Sequence, residues 1–506
     1  MNLPRNEEEL IGFLDNLEDS LEDLNVRYAE CLWKRYTTGE GGAEDLNRLD
    51  RERAELLGRG PYLEMVREGM DRVGDPTLRR RLEVWEKVLL RSRVESREDI
   101  FALRNEITDR IISFRPVVGG KEREISELRD ILRRADDRGL RREAWEAMAP
   151  LSEEMAPRTL SLIHARNRAA GEYGFDTFVD LSLACDDLDR TAVEGLLEEL
   201  VTLTEETYRE LLAGACRAAG LPSCEPWDLA YVLEGESPLP DEAFPRDGIL
   251  DAIHAFLAAC GLDPGSLPIE VHYYDIPFGG LCVPVRPEDI RILANPRDGH
   301  QYYATLFHEY GHALHAAFAP RDVYIFRRDP GPFSEGMAEV LGFFTRYPEW
   351  VARTAGTDLA TARAFLDSSL GRRLYGLRSL AAQVRLEYGL YDGSVADPDR
   401  VCGEIEAALL HVAVNTTPRW AASPFPSGYP VYRQNYIIAA AIAAQTHAYL
   451  RREFGRAEAD PEIFARLREV YWEPGARVPW QEKVRELTGK DLSAADLARE
   501  LGGDVE

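Results

Sequence analysis

Apolar residues recur every three or four positions over much of the chain. Between residues 7 and 35 this spacing predicts one long amphipathic helix, because residues three and four apart share a helix face. The same period returns around 62–114, 122–173 and 190–219. Breaks such as Gly60-Pro61, Asp75-Pro76 and Gly119-Gly120 separate the periodic segments. The first half of the chain is therefore predicted to be all-helical.

The pattern changes between residues 221 and 300, where prolines and glycines become frequent. Short β-prone runs occur at 269–274, 281–285 and 290–294, which predicts a small sheet or hairpin. Helices return after Asp298. One of them covers 432–450, with a fully apolar centre at 437–444 that is too short to span a bilayer.

These changes predict a mostly α-helical protein with a helical N-terminal lobe at 1–230 and a second lobe at 231–506, interleaved into one unit. The composition, 45% hydrophobic and 30% charged, is typical of a globular chain. A net charge of -28 opposes nucleic-acid binding. The N-terminal residues lack a secretory pattern and no long apolar run occurs, which predicts a cytoplasmic protein without membrane contact. The seven scattered cysteines are predicted to be reduced thiols.

A helix predicted over about 299–318 carries the sequence H-E-Y-G-H at 308–312, with Asp298 as its N-cap and Pro320 just past its end. Residues four apart on a helix are turned by about 40° and rise by about 6 Å, so His308 and His312 can bind one zinc ion. Glu309 projects beside them, where its carboxylate can take a proton from water and return it to a leaving amine.

A catalytic zinc needs a third protein ligand, and Glu335 and Glu339 are the nearby downstream candidates. They lie one helical turn apart, so one can bind zinc while the other accepts a hydrogen bond from a ligating histidine. We assign Glu335 to the metal and Glu339 to the supporting position. His315 lies about 10 Å along the axis from His308. We interpret it as a packing or hydrogen-bonding residue and keep it as a candidate substrate contact.

The stretch from His308 to His315 resembles the H-E-x-G-H-x-x-H of the gluzincin oligopeptidases, the thimet oligopeptidase and oligoendopeptidase F family, and more distantly angiotensin-converting enzyme. Glu335 and Glu339 match the later E-x-x-x-[DE] pair of that family. The resemblance implies one Zn²⁺ per chain and a two-lobed helical metallopeptidase. It also implies a deep groove that admits short peptides.

A second segment, 428–436, resembles the family's G-Y-x-x-x-Y-Y-x-Y, whose tyrosines donate to the substrate carbonyl. Tyr429 and Tyr436 match, whereas Tyr432 is one position out of register. A phenol aimed at the developing oxyanion would stabilise the transition state, and the alternative for each tyrosine is ordinary aromatic packing. The family's histidine shortly before this segment is absent, since 423–427 reads S-P-F-P-S.

Other candidate substrate contacts follow from the same resemblance. The predicted hairpin of 281–285 and 290–294, which includes Val283, is similar to the edge along which the family's substrate backbone lies. Arg433, Arg419 and Arg385 could anchor a C-terminal carboxylate. The simpler interpretation makes each arginine an ordinary structural or surface charge.

The sequence therefore predicts zinc-dependent hydrolysis of short peptides. Two alternatives stay open at this point. One is a zinc carboxypeptidase of related helical architecture, and the other is a non-catalytic helical protein that keeps a structural zinc. The residues alone leave endopeptidase or exopeptidase action, cleavage specificity and oligomeric state undetermined.

Overall fold

The computed structural model describes residue 4 and residues 6–58, 60–276, 278–455 and 459–502. Helices make up most of this structure, and the sheets are small. The predicted mostly α-helical class is confirmed. No helix among the described residues combines the length and apolar character needed to cross a bilayer.

The first helix, α1 (Glu7–Thr37), confirms the long amphipathic helix predicted from the heptad-like spacing. Its N-cap is Asn6, whose side chain accepts a hydrogen bond from the Glu9 backbone N–H at 2.8 Å. Acidic residues occupy the first turn and basic residues the last, as the helix dipole favours. Its leucines at positions 10, 14, 17 and 21 are buried.

Twelve helices lie between α1 and the main sheet in the described part of the chain. They are α2 (Ala43–Leu57), α3 (Tyr62–Arg72), α4 (Pro76–Glu95), α5 (Glu98–Ser113), α6 (Ile125–Arg134), α7 (Arg138–Glu146), α8 (Ala149–Gly171), α9 (Phe178–Cys185), α10 (Arg190–Leu203), α11 (Glu205–Ala218), α12 (Leu229–Val232) and α13 (Ile249–Ala259). Eight of them fall within the predicted periodic segments, whereas α2, α9, α12 and α13 lie outside those segments. Gly119 and Gly120 adopt positive φ in the turn between the short strands β1 (Val117–Val118) and β2 (Lys121–Glu122). The Gly-Gly pair therefore closes a hairpin, and the prediction that the first half is all-helical is wrong at this point.

A three-stranded sheet confirms the β-prone runs. It contains β3 (Ile269–Tyr273), β4 (Gly280–Arg286) and β5 (Asp289–Ala294) in the order β3-β5-β4. The β4 and β5 strands form an antiparallel hairpin, whereas β3 runs parallel to β5. One edge of β4 is therefore not paired with another strand of this sheet.

The remaining helices follow the sheet. They are α14 (His300–Phe318), α15 (Gly331–Phe343), α16 (Pro348–Ala355), α17 (Leu359–Ser368), α18 (Leu370–Asp392), α19 (Pro398–Leu410), α20 (Phe425–Gly428), α21 (Gln434–Phe454), α22 (Pro461–Leu467), α23 (Trp480–Thr488) and α24 (Ala495–Leu501). The apolar centre of α21 is buried, which confirms the predicted closely packed helix.

One apolar core includes residues from Leu10 to Leu501 and so draws on both predicted lobes. The predicted boundary near residue 230 falls within α12, and the division into lobes stays a prediction. Long-range polar contacts also join the two parts. The buried Glu18 carboxylate of α1 accepts hydrogen bonds from the Trp85 indole at 3.0 Å and from the Tyr324 backbone N–H at 2.9 Å.

Two other local predictions are wrong. Cys216 and Cys224 form a disulfide, because the chain reverses at Gly220 after α11 and brings their Cα atoms to 6.2 Å. The N-cap of α14 is Gly299, with a φ of 126°, and not Asp298. The Asp298 carboxylate instead accepts a hydrogen bond from the Arg246 backbone N–H at 2.7 Å, a contact 52 residues apart that local sequence does not reveal.

Candidate metal centre

The three predicted metal ligands come together. His308 and His312 lie on α14, Glu335 lies on α15, and their ligand atoms are all within 4.8 Å of one another. The distance from His308 Nε2 to Glu335 Oε2 is 3.6 Å. Two atoms that bind one zinc at about 2.1 Å lie at most about 4.2 Å apart, so small side-chain rotations complete the geometry.

Close helix packing sets this arrangement. A Cβ added at Gly311 would lie 2.5 Å from the Ala338 Cα and 2.8 Å from the Met337 carbonyl oxygen, so a side chain there would push α14 and α15 apart. At Gly336 a Cβ would lie 2.9 Å from Ile442 of α21. The glycine inside H-E-Y-G-H therefore allows the helix approach that brings Glu335 to the histidines.

The two histidines have opposite electrostatic surroundings. Burial alone would lower the pKa of His308, but Glu335 and Glu339 raise it to about 10. Burial lowers the pKa of His312 to about 3, which keeps that ring neutral with a lone pair available. The site therefore favours positive charge at His308 and a neutral ligand at His312. A divalent cation meets both conditions, so these residues fit a metal ion.

Glu339 occupies the predicted supporting position, with its Oε2 3.6 Å from His308 Nδ1. Burial would raise the pKa of Glu339, but Arg346 and His308 lower it to about 2. Arg346 forms an ion pair with this carboxylate. Sequence reasoning missed Arg346, which lies in a short 3-10 turn beyond the end of α15, where helix spacing gives no signal for the pair.

The Glu309 side chain lies between α14 and the edge of β4. Its Oε2 accepts a hydrogen bond from the Cys282 backbone N–H at 2.8 Å. A Cβ at Gly280 would lie 2.7 Å from Glu309 Cγ, so this glycine makes room for the carboxylate. Burial raises the pKa of Glu309, while His308 and the Cys282 N–H oppose that rise. A raised carboxyl pKa suits a group that must take up and release a proton.

The predicted tyrosines form an aromatic cluster beside the ligands. The Tyr432 hydroxyl donates a hydrogen bond to Glu335 Oε1 at 2.7 Å, and the Tyr432 ring centroid lies 5.6 Å from that of Tyr436. Tyr429 packs against Tyr432 at 6.1 Å and is 60% exposed. Burial and Glu335 raise the pKa of Tyr436 to about 12. Tyr432, out of register with the family motif, is therefore the tyrosine that contacts a predicted metal ligand.

An unusual turn positions Tyr432. Val431 has a φ of +52°, which is costly for a β-branched residue, by about 1–3 kcal/mol. The buried Glu387 carboxylate accepts a hydrogen bond from the Val431 N–H at 2.9 Å and lies 3.5 Å from the Arg433 guanidinium. Arg433 also donates to Ser423 Oγ at 2.8 Å. Buried Arg433 therefore supports this turn.

A cavity of about 630 Å³ lies over the metal ligands and includes Glu309, His315 and the three tyrosines in its lining. Val283 does not line it, because its side chain packs against Ala29 of α1. Arg433 is also absent from that lining.

Two further predicted contacts lie elsewhere. The Arg419 guanidinium stacks on the Trp145 ring, and Arg385 forms an ion pair with Glu198. Neither lines the metal cavity. His315 is buried, and its Nε2 lies 2.9 Å from Asp329 Oδ2, which agrees with its interpretation as a hydrogen-bonding residue.

No protein-family model matches this chain, and no curated protein sequence matches it either. The resemblance to the gluzincin oligopeptidases therefore stays a hypothesis that depends on the motifs and their placement.

Proposed function

We propose that this chain is a zinc-dependent peptidase that hydrolyses short peptides. The observation that carries the proposal is the position of Glu309. A buried carboxylate, next in sequence to one metal ligand, lies beside a cluster of two imidazoles and one carboxylate. Two histidines and a glutamate are a ligand set typical of catalytic zinc in peptidases.

Zinc held by His308, His312 and Glu335 would lower the pKa of a water molecule and polarise the substrate carbonyl. Glu309 accepts the proton as the water oxygen adds to the carbonyl carbon. It then transfers that proton to the amide nitrogen as the C–N bond breaks, so its carboxylate is regenerated. Its raised pKa favours both transfers.

The edge of β4 supplies a place for the substrate backbone. Along an antiparallel strand, alternate residues direct their N–H and C=O groups to the partner strand and away from it. Cys282 directs its N–H toward Glu309 and therefore away from β5. An extended peptide placed along this edge would gain strand-like hydrogen bonds next to the general base. A groove between two lobes is part of this proposal.

Tyr436 is the tyrosine best suited to stabilise the developing oxyanion. It lies in the lining of the metal cavity, and a pKa of about 12 keeps its phenol protonated as a donor. Tyr432 already donates to Glu335 and so orients that ligand. Tyr429, more exposed, lies where it can contact the substrate.

The number of ligands favours a catalytic site over a purely structural one. Structural zinc is usually enclosed by four side chains, whereas catalytic zinc has three and an open position. In the part of the chain that the structure describes, the cluster contains three such residues. The open position would receive water.

The deciding experiment compares the native chain with Glu309→Gln for zinc content and for cleavage of a quenched peptide library. We expect Glu309→Gln to retain one zinc per chain and to lose about 10²- to 10⁴-fold in kcat. Glu404→Gln, in an exposed i,i+4 ion pair with Arg400, is the matched control. Unchanged cleavage by Glu309→Gln would refute the assigned base. Products from C-terminally blocked peptides separate an endopeptidase from a carboxypeptidase, since blocking stops only the latter.

A further inference from the structure

A second cavity, of about 400 Å³, adjoins the metal cavity. Arg328 and Asp329 line both cavities, and the second one also has walls from α2 and α4. Gly331, the first residue of α15, is part of its lining. A ligand that extends from the metal ligands past Arg328 would therefore enter this space.

Most charged groups of the second cavity are already paired within the protein. Asp329 is held by Lys483 at 2.7 Å and by His315 at 2.9 Å. The other pairs are Arg80 with Asp187, Lys87 with Asp187, Arg91 with Asp186, and Arg104 with Glu95. Each of these four cations therefore already has a carboxylate partner within the protein, with Asp187 shared by two of them.

Arg53 and Arg328 are different. Across the described residues, neither guanidinium has a hydrogen bond or an ion pair within 4.0 Å, and both side chains are exposed to solvent. Asp50 is the carboxylate close enough to influence Arg53, but it stays beyond that distance. Burial and the facing Arg328 both lower the pKa of Arg53. Arg53 is thus an exposed residue that lines the cavity together with Arg328.

Arg53 and Arg328 line the same cavity with Asp50, and neither arginine has a direct ion pair, so an anion that joins the two guanidinium groups would be favourable. The planar guanidinium presents paired donors that match the two oxygens of a carboxylate. We propose that Arg53 and Arg328 together bind a carboxylate of the peptide substrate. The inference rests on the proposed peptidase function and adds a substrate class to it, peptides with a free C-terminus or an acidic side chain at this position.

The shared lining supports a continuous path for such a peptide. Arg328 lies seven positions before Glu335, in the segment that leads into α15. Arg53 is close enough to Tyr324, which lines the metal cavity, for the two to interact electrostatically. The arginine pair therefore lies where one peptide can reach both the metal ligands and these guanidinium groups.

The test uses the zinc-loaded full chain and three forms of one quenched peptide: a free C-terminus, a C-terminal amide with an internal glutamate, and an amide with that glutamate replaced by glutamine. We expect Arg53→Gln and Arg328→Gln each to lower kcat/KM by about 10- to 100-fold for a form that carries the recognised carboxylate. The uncharged form should change less than about twofold. If the arginine variants lower kcat/KM only for the peptide with a free C-terminus, the recognised group is the C-terminal carboxylate. If they lower it for the amidated peptide with glutamate but not for the one with glutamine, the recognised group is an acidic side chain.

Arg48→Gln is the matched control, because Arg48 lies on the same helix α2 but pairs with Asp45 and Glu52 at the surface. Arg53→Lys and Arg328→Lys should retain part of the selectivity, and melting temperatures check that each variant folds. Equal effects on all three peptides, or no effect, would overturn the inference.

A second readout separates this inference from the peptidase proposal. Fluorescence anisotropy measures binding of a labelled peptide to the Glu309→Gln chain, at low and high salt. If the native chain cleaves nothing, the peptidase proposal fails. Carboxylate-dependent, salt-sensitive binding that disappears when Arg53→Gln is added would still support the anion site. If the native chain cleaves peptides but this binding is absent, the anion site fails and the peptidase proposal stands.

Discussion

His308 and His315 lie two turns apart on α14, and both face carboxylates, but they differ in how completely they are paired. His315 Nε2 lies 2.9 Å from Asp329, and the Lys483 ammonium lies 2.7 and 2.8 Å from the two oxygens of the same carboxylate. Each ring nitrogen of His308 lies 3.6 Å from a carboxylate oxygen, which is longer than a hydrogen bond. The group of Asp329, His315 and Lys483 is therefore fully paired within the protein, whereas the group of His308, Glu335 and Glu339 is not.

The difference separates a structural network from the proposed metal site. In the Asp329 group, each charge has a direct partner, so nothing further is needed to stabilise it. Around His308, two carboxylates face one ring at distances that leave room for a small cation. Histidines on the same helix therefore belong to a closed ion-pair network at one position and to a candidate metal site at the other, with spacings that differ by less than 1 Å.

The largest expected effect, on zinc binding and cleavage, is in the group of His308, Glu335 and Glu339. His308→Gln removes a metal ligand, so we expect bound zinc to be lost and cleavage to fall to background, by at least about 10³-fold. The metal-free protein should keep its melting temperature within a few degrees. Metal analysis by mass spectrometry and peptide cleavage measure the two effects. Full zinc occupancy in this variant would contradict the assigned ligand set.

Asp329→Asn removes the carboxylate that pairs with Lys483 and His315, and it leaves the Lys483 ammonium buried without its partner. We expect a loss of about 3–5 kcal/mol in the free energy of unfolding, measured by urea denaturation. Zinc stoichiometry of the folded fraction should stay unchanged. Adding Lys483→Met should restore much of the stability, since it removes the unpaired charge. If Asp329→Asn were stable but lacked zinc, Asp329 would belong to the metal site and not to a structural network.

Glu339→Gln sharpens the comparison with a smaller change. It keeps the shape of the side chain but removes the charge that faces His308 Nδ1. We expect zinc affinity to fall by about 10- to 100-fold, as for other partners of metal-bound histidines. Competition with a chelator measures the affinity, and Glu404→Gln serves again as control. An unchanged affinity would show that Glu339 does not support the ligand.

The smallest expected effect is a pH dependence of the stabilisation that Asp329 contributes. Burial would raise the pKa of Asp329, but Lys483 and His315 lower it below its usual range. As pH falls through about 3.9, the unfolded chain takes up the proton first. The stabilisation is therefore present above that pH and declines below it, by at most about 1.4 kcal/mol per pH unit. The stability difference between the native chain and Asp329→Asn should shrink on acidification, and a constant difference would contradict this.

Local features of the structure were predictable from the sequence because their causes are local. The spacing of Leu10, Leu14, Leu17 and Leu21 is enough to define α1, since one helix face must be apolar. His308 and His312 share a face by helix geometry alone, and Glu335 follows from the need for a third ligand on a nearby helix. The β-prone runs likewise matched the three strands to within a few residues.

Long-range partners were not predictable in the same way. Lys483 lies 154 residues from Asp329, and Glu387 lies 44 residues from the Val431 turn that it stabilises. The positive φ of Val431 contradicts the local preference of a β-branched residue, so only tertiary contacts explain it. The disulfide between Cys216 and Cys224 depends on the direction of a turn. Such features become evident only once the helices are placed together.

The contact between Glu18 and Tyr324 has a consequence for synthesis on the ribosome. The two residues are 306 positions apart, so at about 5–20 residues per second the nascent chain waits roughly 15–60 s before the second partner emerges. Trp85 and Arg81 become available much earlier and can hold the Glu18 carboxylate in the meantime. Contacts of the N-terminal helix with α4 can therefore form before its contact with the segment that leads into α15.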